Sequence, residues 1–426
     1  MPALCDGDPV DDTAHLLASQ PSFRWRGSGM RNFATIEALR GWMAWWVVVT
    51  HALQLMGAGQ GPADMIPRPM LRLLMSGDTG VMVFIIISGF VITHLLIGKR
   101  ESYPTYLLRR FLRLAPIYFF CLLIALLVMR LTWLAYGENP LPLNHGMRIA
   151  RFAAEQENFL THLLLHLTLL HSVVPDTILP FASTALLPPA WSLSLEWQFY
   201  LIAPLLISVA LRSGSAAFWL AVVLVAIRFG LHHSGLRWQY DGFFFLAGDL
   251  FLIGILSRVA VERIHTGGAA AGYLLLAGIL LLQVDIKAAL IWVLFFVLTL
   301  REGGFLPLRA GLADRMHRLL ALNPVMRALG RWSYSTYLIH IPLFSVLVGA
   351  YVGQVGAGNV SQMAVAGILM LCLPLLVLIS ALLYRFIETP PVRLGKALIV
   401  RRRLGGLTMP EIQPDLNSPE RIDFLR

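Results

Sequence analysis

Apolar residues occupy this chain in long blocks separated by short connections, many of them basic. Blocks near the length a helix needs to cross a bilayer, roughly 17–25 residues, fall at 37–57, 79–97, 111–131, 193–211, 216–232, 242–257, 270–285, 287–301, 333–353 and 364–385. The pattern predicts an all-α polytopic membrane protein with about ten transmembrane helices. Arg24, Arg26, Arg31 and Arg40 lie before or at the start of the first block, and Lys99, Arg100, Arg109, Arg110 and Arg113 lie between the second and third or at the start of the third. Basic residues return at Arg212, at Arg258 and Arg263, from Arg301 to Arg331, and at Arg385, Arg393 and Arg401 to Arg403. Every second connection is therefore basic. Because Lys and Arg concentrate in cytoplasmic loops, both termini are expected in the cytoplasm, with an even number of spans between them.

The stretch 132–190 interrupts this regularity with a polar loop, a 15-residue apolar piece at 159–173 and a Pro-rich run. Fifteen residues reach only about 22 Å as a helix, short of the roughly 30 Å hydrocarbon core. One short re-entrant or interfacial helix is expected there. Three regions follow: a polar cytoplasmic tail over 1–35 whose composition suits disorder, a transmembrane domain over 36–394, and a basic cytoplasmic tail over 395–426. The sequence reads without a signal peptide, an internal repeat or an appended soluble catalytic domain.

Composition narrows the classes further. Only 14% of the 426 residues are charged, against about 25% in soluble proteins. The net charge of +10 comes from residues at the ends of apolar blocks. The expected partner is thus the lipid bilayer and not a nucleic acid. Cys5, Cys121 and Cys372 have neither metal-ligand nor disulfide spacing. His162, His166 and His171 do not repeat with a ligand geometry, so a wet interfacial helix is expected for them, and no metal.

Ionisable residues inside spans are costly and point to function. His51 lies eleven positions after Arg40 in the first block, about 16 Å along a helix and on roughly the same face. With the amino terminus inside, Arg40 falls at the cytoplasmic end and His51 in the outer half. An imidazole that titrates near neutrality suits a general base for a hydroxyl; a ring bonded to a neighbouring helix is the plainer alternative. Glu196, in WSLSLEWQFY, is expected near the outer face at the depth of His51, orienting its ring as the third member of a triad does. It would equally belong, with Ser192 and Ser194, to the wet first turn of a helix. Arg110 with Arg113, and Arg109 with Arg113, have i, i+3 and i, i+4 spacing. They suit phosphate recognition or serve simply as topology markers. Ser88 and Gly89 in mid-block allow close helix packing, and Tyr337 and His340 are interfacial anchors or part of a site. A secondary transporter would also carry such groups, but in two related halves, and none are seen.

In order along the chain, six segments resemble the acyltransferase type 3 family of integral membrane O-acyltransferases. They are ALRGWMAWWVVVTHAL, GVMVFIIISGF, LLRRFLRLAPIY, WSLSLEWQFYLIAPLL, SYSTYLIHIPL and FIETPPVRL, between about residues 33 and 394. Met82 departs from the acidic residue that often follows Gly-Val in that family. The resemblance implies a bacterial inner-membrane enzyme moving an acyl group, commonly acetyl, from cytoplasmic acyl-CoA to a hydroxyl of a cell-envelope or exported polysaccharide or lipid-linked sugar. It implies His51, Glu196 and Arg40 as catalytic residues, and Arg110, Arg113, Arg109, Ser88, Tyr337 and His340 as contacts of the acyl-CoA donor. The implied partners are a glycan or glycolipid acceptor and polysaccharide-biosynthesis proteins. A polytopic transporter, or a non-catalytic subunit of a polysaccharide-export complex, is the alternative.

Overall fold

A computed structural model describes residues 33–60, 66–98, 101–306 and 311–405. The amino-terminal tail lies almost wholly outside the described residues, as do Lys99, Arg100 and everything after residue 405. All regular structure among the described residues is helical.

Each of the ten apolar blocks folds as a helix. α1 (Ala34–Leu55) carries Arg40 and His51; after the short α2 (Arg68–Leu74), α3 (Gly77–Gly98) carries Ser88. α4 (Tyr103–Leu127) has Pro104 in its first turn, where a missing N–H leaves no bond unmade, and it places the arginines. α5 (Met129–Trp133) leads into the interrupting stretch, which folds as two short helices, α6 (His145–Glu157) and α7 (Phe159–Leu167). α8 (Trp191–Arg212) holds Glu196, and α9 (Gly214–His233) starts where the Ser213 hydroxyl accepts the Ala216 N–H. α10 (Phe244–His265) is buried along most of its length. Then come α11 (Ala271–Leu281), α12 (Ile286–Glu302), α13 (Leu312–Met316) and α14 (Pro324–Arg331), with Asp285 capping α12 and Asn323 capping α14. α15 (Ser333–Val355) carries Tyr334, Tyr337 and His340. α16 (Gln362–Leu383) passes through a wide turn at Tyr384–Glu388 into α17 (Thr389–Gly405), which runs past the expected domain end at residue 394.

Among the described residues, seven helical segments are long and apolar enough to cross a membrane: Arg68–Gly98, Tyr103–Leu127, Pro188–Arg212, Gly214–His233, Phe244–His265, Ser333–Val355 and Gln362–Leu398. Three of the ten expected spans fall outside this set for local reasons. α11 has 11 residues and α12 has 17, lengths of roughly 16 and 26 Å. α1, with 22 residues, is long enough, but Glu37, Arg40, His51 and its tryptophans make it more polar. A polar helix among apolar ones is stable where protein surrounds it, and α1 packs on α3, α12, α14 and α15.

Glycine sets the closest crossings. A methyl group on Gly89 of α3 would fall on the Phe251 carbonyl of α10, and one on Gly254 of α10 would fall on the Ile86 carbonyl. α1 and α14 approach in the same way, with Gly41 against the Met326 carbonyl and Gly330 against that of Glu37. Small residues let helix backbones come together where lipid provides little hydrophobic drive. Gly254→Ala is accordingly expected to destabilise the fold by about 1–3 kcal/mol through overpacking. A thermal melt in detergent reads the loss, and an unchanged midpoint would mean that the crossing can relax.

Candidate active site

One cavity lies among α1, α3, α8 and α15 and is lined by Arg40, Phe84, Ser88, Ser192, Glu196, Tyr334 and Tyr337, among others. Glu196 is 9% exposed. Its Oε1 accepts from the hydroxyls of Tyr200 at 2.5 Å, Tyr334 at 2.6 Å and Ser88 at 2.9 Å. Three donors on one oxygen offset the cost of burying a carboxylate. The guanidinium groups of Arg40 and Arg113 pack on the Tyr334 ring, 4.7 and 5.1 Å from its centroid, and that of Arg110 stands 5.9 Å from the Tyr200 ring. Aromatic faces orient such planar cations without neutralising them. Arg113 also lies 3.9 Å from Glu388, whose other oxygen accepts from Ser335 at 3.2 Å. Nε of Arg40 and of Arg110 has no hydrogen-bond partner. Arg40, Arg110 and Arg113 outnumber Glu196 and Glu388, so the cluster fits a ligand bearing phosphate.

A second cavity is lined by His51, Gln54, Tyr136, Asn144, Arg148, Arg151, Thr184, Pro188, Gln239, Tyr240 and Ile341, among others. His51 Nδ1 lies 2.8 Å from His340 Nε2, and the two rings are nearly parallel, with 11° between their planes. His340 is wholly buried, and its Nδ1 is 3.2 Å from the Thr336 carbonyl oxygen. A carbonyl oxygen can only accept, so the neutral His340 carries its proton on Nδ1 and has its lone pair on Nε2. His51 must then donate from Nδ1, which leaves its own lone pair on Nε2. An imidazole fixed in that tautomer beside a cavity is what a general base requires.

The two cavities follow one another along the same elements. Arg40 and His51 are separated along α1 by about 16 Å of helix. On α15, Tyr334 and Tyr337 line the first cavity and Ile341 the second; at the start of α8, Ser192 lines the first and Pro188 the second. Tyr337 stands between them, accepting from the Ser192 hydroxyl at 2.9 Å, with its ring 6.1 Å from that of His340.

Several expectations change here. Glu196 does not orient His51: the ring partner is His340, and Glu196 belongs to the Arg40 cavity. The reason lies in the chain before α8. Pro188 already stands at the His51 cavity, so roughly two turns of helix carry Glu196 toward Arg40. His340, grouped by sequence with the donor contacts, is instead on His51. Ser88 and Tyr337 do line the Arg40 cavity, whereas Arg109 turns to Glu101 at 3.2 Å. His162, His166 and His171 are fully buried and not wet. His166 and His171 stack 3.9 Å apart, and the Tyr118 hydroxyl donates to the His166 carbonyl at 3.0 Å.

Sequence reasoning missed Tyr200, Glu388, Arg148 and Arg151. Tyr200 was within reach, being one helical turn after Glu196. Glu388 is the only acidic residue in FIETPPVRL, where its role as a counter-charge depends on a wide turn that no periodicity reports. Arg148 and Arg151 sit in a stretch that reads as a polar loop.

A family model described as an acyltransferase domain, that of the acyltransferase type 3 family, matches residues 33–384. A protein of Aquifex aeolicus (strain VF5), carrying the name "Uncharacterized protein", is 25% identical over 173 residues, which cover 38% of this chain and 72% of that relative. No solved structure matches the chain. With most of its length matched and its helices apolar enough for a bilayer, the chain belongs to the acyltransferase type 3 family and is a membrane acyltransferase.

Proposed function

We propose that this protein is an O-acyltransferase of the bacterial inner membrane, with both termini cytoplasmic. It moves an acyl group, acetyl in the simplest case, from cytoplasmic acyl-CoA to a hydroxyl of a cell-envelope or exported polysaccharide or lipid-linked sugar. The observation that carries this reading is the pair of cavities spaced along α1, one with the Arg40, Arg110 and Arg113 guanidinium groups on or beside its wall and one holding an imidazole with an available lone pair.

In this scheme Arg40, Arg110 and Arg113 hold the donor's phosphates by charge-assisted hydrogen bonds, and its extended thiol arm runs along α15 past Tyr337. The acceptor occupies the His51 cavity. Nε2 of His51 takes the hydroxyl proton as the oxygen bonds to the thioester carbonyl carbon; the C–S bond breaks, and the thiolate recovers that proton from the imidazolium. The Nδ1–H bond to His340 holds the ring in place through both states. Glu196 positions the Ser88, Tyr200 and Tyr334 hydroxyls that wall the donor's path. Arg40 is too far along α1 to touch the carbonyl that His51 serves, so its role is with the phosphates.

Incubating the full-length protein in nanodiscs with labelled acetyl-CoA and a membrane glycan extract tests the reading. Alkali-labile label on glycan is the expected product; label recovered only as free acid, or still in the donor, would overturn it in favour of hydrolysis, transport or a non-catalytic role. Arg110 has no ion pair among the described residues, so Arg110→Gln removes a donor contact without stranding a carboxylate. It is expected to raise KM for acetyl-CoA about tenfold, the value of one charge-assisted hydrogen bond, and to leave kcat within about twofold.

A further inference from the structure

The His51 cavity has an electrostatic character that general-base chemistry does not need. Arg148 and Arg151 both line it, and none of its described lining residues is acidic. They are i, i+3 on α6 and share a helix face, an arrangement that like charges disfavour. Arg151 is only 8% exposed, and its Nε has no hydrogen-bond partner. Its guanidinium packs on the Phe152 ring at 4.6 Å, and that of Arg148 packs on Tyr136 at 5.0 Å. Arg148 Nε donates to the Leu143 carbonyl at 2.9 Å, which fixes the direction of its fork. Neither arginine is ion-paired among the described residues. Glu155, one turn beyond Arg151 and 4% exposed, lines an adjoining cavity that Arg151 also borders. Burial pushes both guanidinium groups below their usual range. Glu155 draws on Arg151 electrostatically and offsets one of the two charges, and the remaining oriented cation in a concave site is costly unless an anion arrives to pair with it.

Resting on the reading of this cavity as the acceptor site, we propose that the acceptor carries a carboxylate or phosphate close to the hydroxyl that is acylated, and that Arg148 and Arg151 hold this anion. Bidentate pairing suits both anions, so the shared chemistry is an acidic saccharide: a uronic acid or a sugar phosphate. Gln54, Asn144, Thr184 and Gln239 supply neutral hydrogen bonds for the remaining hydroxyls, and Tyr240 offers a ring face to the sugar.

The test separates binding from turnover. Equilibrium binding of methyl glucuronide, glucose 1-phosphate and neutral methyl glucoside is measured on full-length His51→Ala protein in nanodiscs. At least one acidic probe is expected to bind tenfold or more tighter than methyl glucoside, and whichever does so identifies the anion. Adding Arg151→Gln should reduce that preference to threefold or less. Arg148→Gln, at a more exposed position, should weaken it independently should Arg151→Gln impair folding. Equal binding of all three probes, or a preference untouched by both variants, overturns the proposal. Anion preference without any acyl transfer by the wild-type protein would instead count against the acyltransferase scheme and leave the anion site standing.

Discussion

Replacing His51 by alanine is expected to lower acyl transfer by about 10²–10⁴-fold, the usual worth of a general base. The substitution removes an imidazole that is part-exposed to a cavity, so the fold should survive it. Binding of acyl-CoA should also survive, because the arginines lie about 16 Å along the helix. The variant therefore separates the two halves of the scheme: kcat collapses while the donor's Kd stays within about twofold. His51→Gln should do no better than alanine, since an amide can hydrogen-bond to His340 but cannot take a proton at neutral pH. Steady-state transfer and direct acetyl-CoA binding on the same preparation check both claims. Transfer at the wild-type level in either variant would remove His51 from the chemistry.

The second large effect is expected at His340, which touches no reacting atom and acts through His51. His340→Phe keeps an aromatic ring in a fully buried position and deletes the acceptor for the His51 Nδ1–H. The His51 ring then loses both its tautomer and its orientation, and transfer should fall by about 10²-fold, the scale of a lost orienting partner. A purely structural role would lower the yield or melting temperature and leave the pH dependence of surviving activity alone. The positioning role predicts that the acidic limb of the kcat/KM profile, where protonation of the His51 imidazole removes the base, shifts in His340→Phe. His340→Gln, which restores an acceptor, should recover part of the lost rate.

How much of this was legible in the sequence depended on distance along the chain. The helical architecture was, because ten apolar blocks each impose the same local solution on a backbone that must satisfy its own hydrogen bonds. The mid-block Ser88–Gly89 pair correctly marked a close crossing, since only a residue without a side chain fits against the Phe251 carbonyl. The vertical separation of Arg40 and His51 followed from rise per residue alone. Pairings between distant helices did not follow. His51 and His340 are 289 positions apart, and no spacing rule links them, so apparent depth alone points to the carboxylate of Glu196 as the partner. That error came from taking depth from the apolar boundary of α8. The actual reference is the Pro188–Ala190 turn, which already stands beside His51. Arg148 and Arg151 escaped notice because α6 is polar enough to resemble a loop, and their burial arises from the elements folded over them.

Span number shows the same limit in another form. α1 is long enough to cross a bilayer, yet its polar residues set it apart from the seven apolar segments. Its charges are accommodated by Tyr334, by His340 and by its close approach to α14. Hydropathy treats each helix as if lipid surrounded it. A helix that carries chemistry in the interior of a bundle departs from that assumption, and for this chain the departure marks the element on which the proposed reaction turns.

The claim that the two cavities open to opposite sides of the bilayer is tested most directly by side-specific labelling. Gln54→Cys reports the His51 cavity and Arg109→Cys the arginine end of α4, each in a chain whose Cys5, Cys121 and Cys372 are replaced by serine. A membrane-impermeant maleimide applied to spheroplasts, and separately to inverted vesicles, should label Gln54→Cys from the outer face only and Arg109→Cys from the cytoplasmic face only. Labelling of both positions from one face would contradict transfer across the membrane.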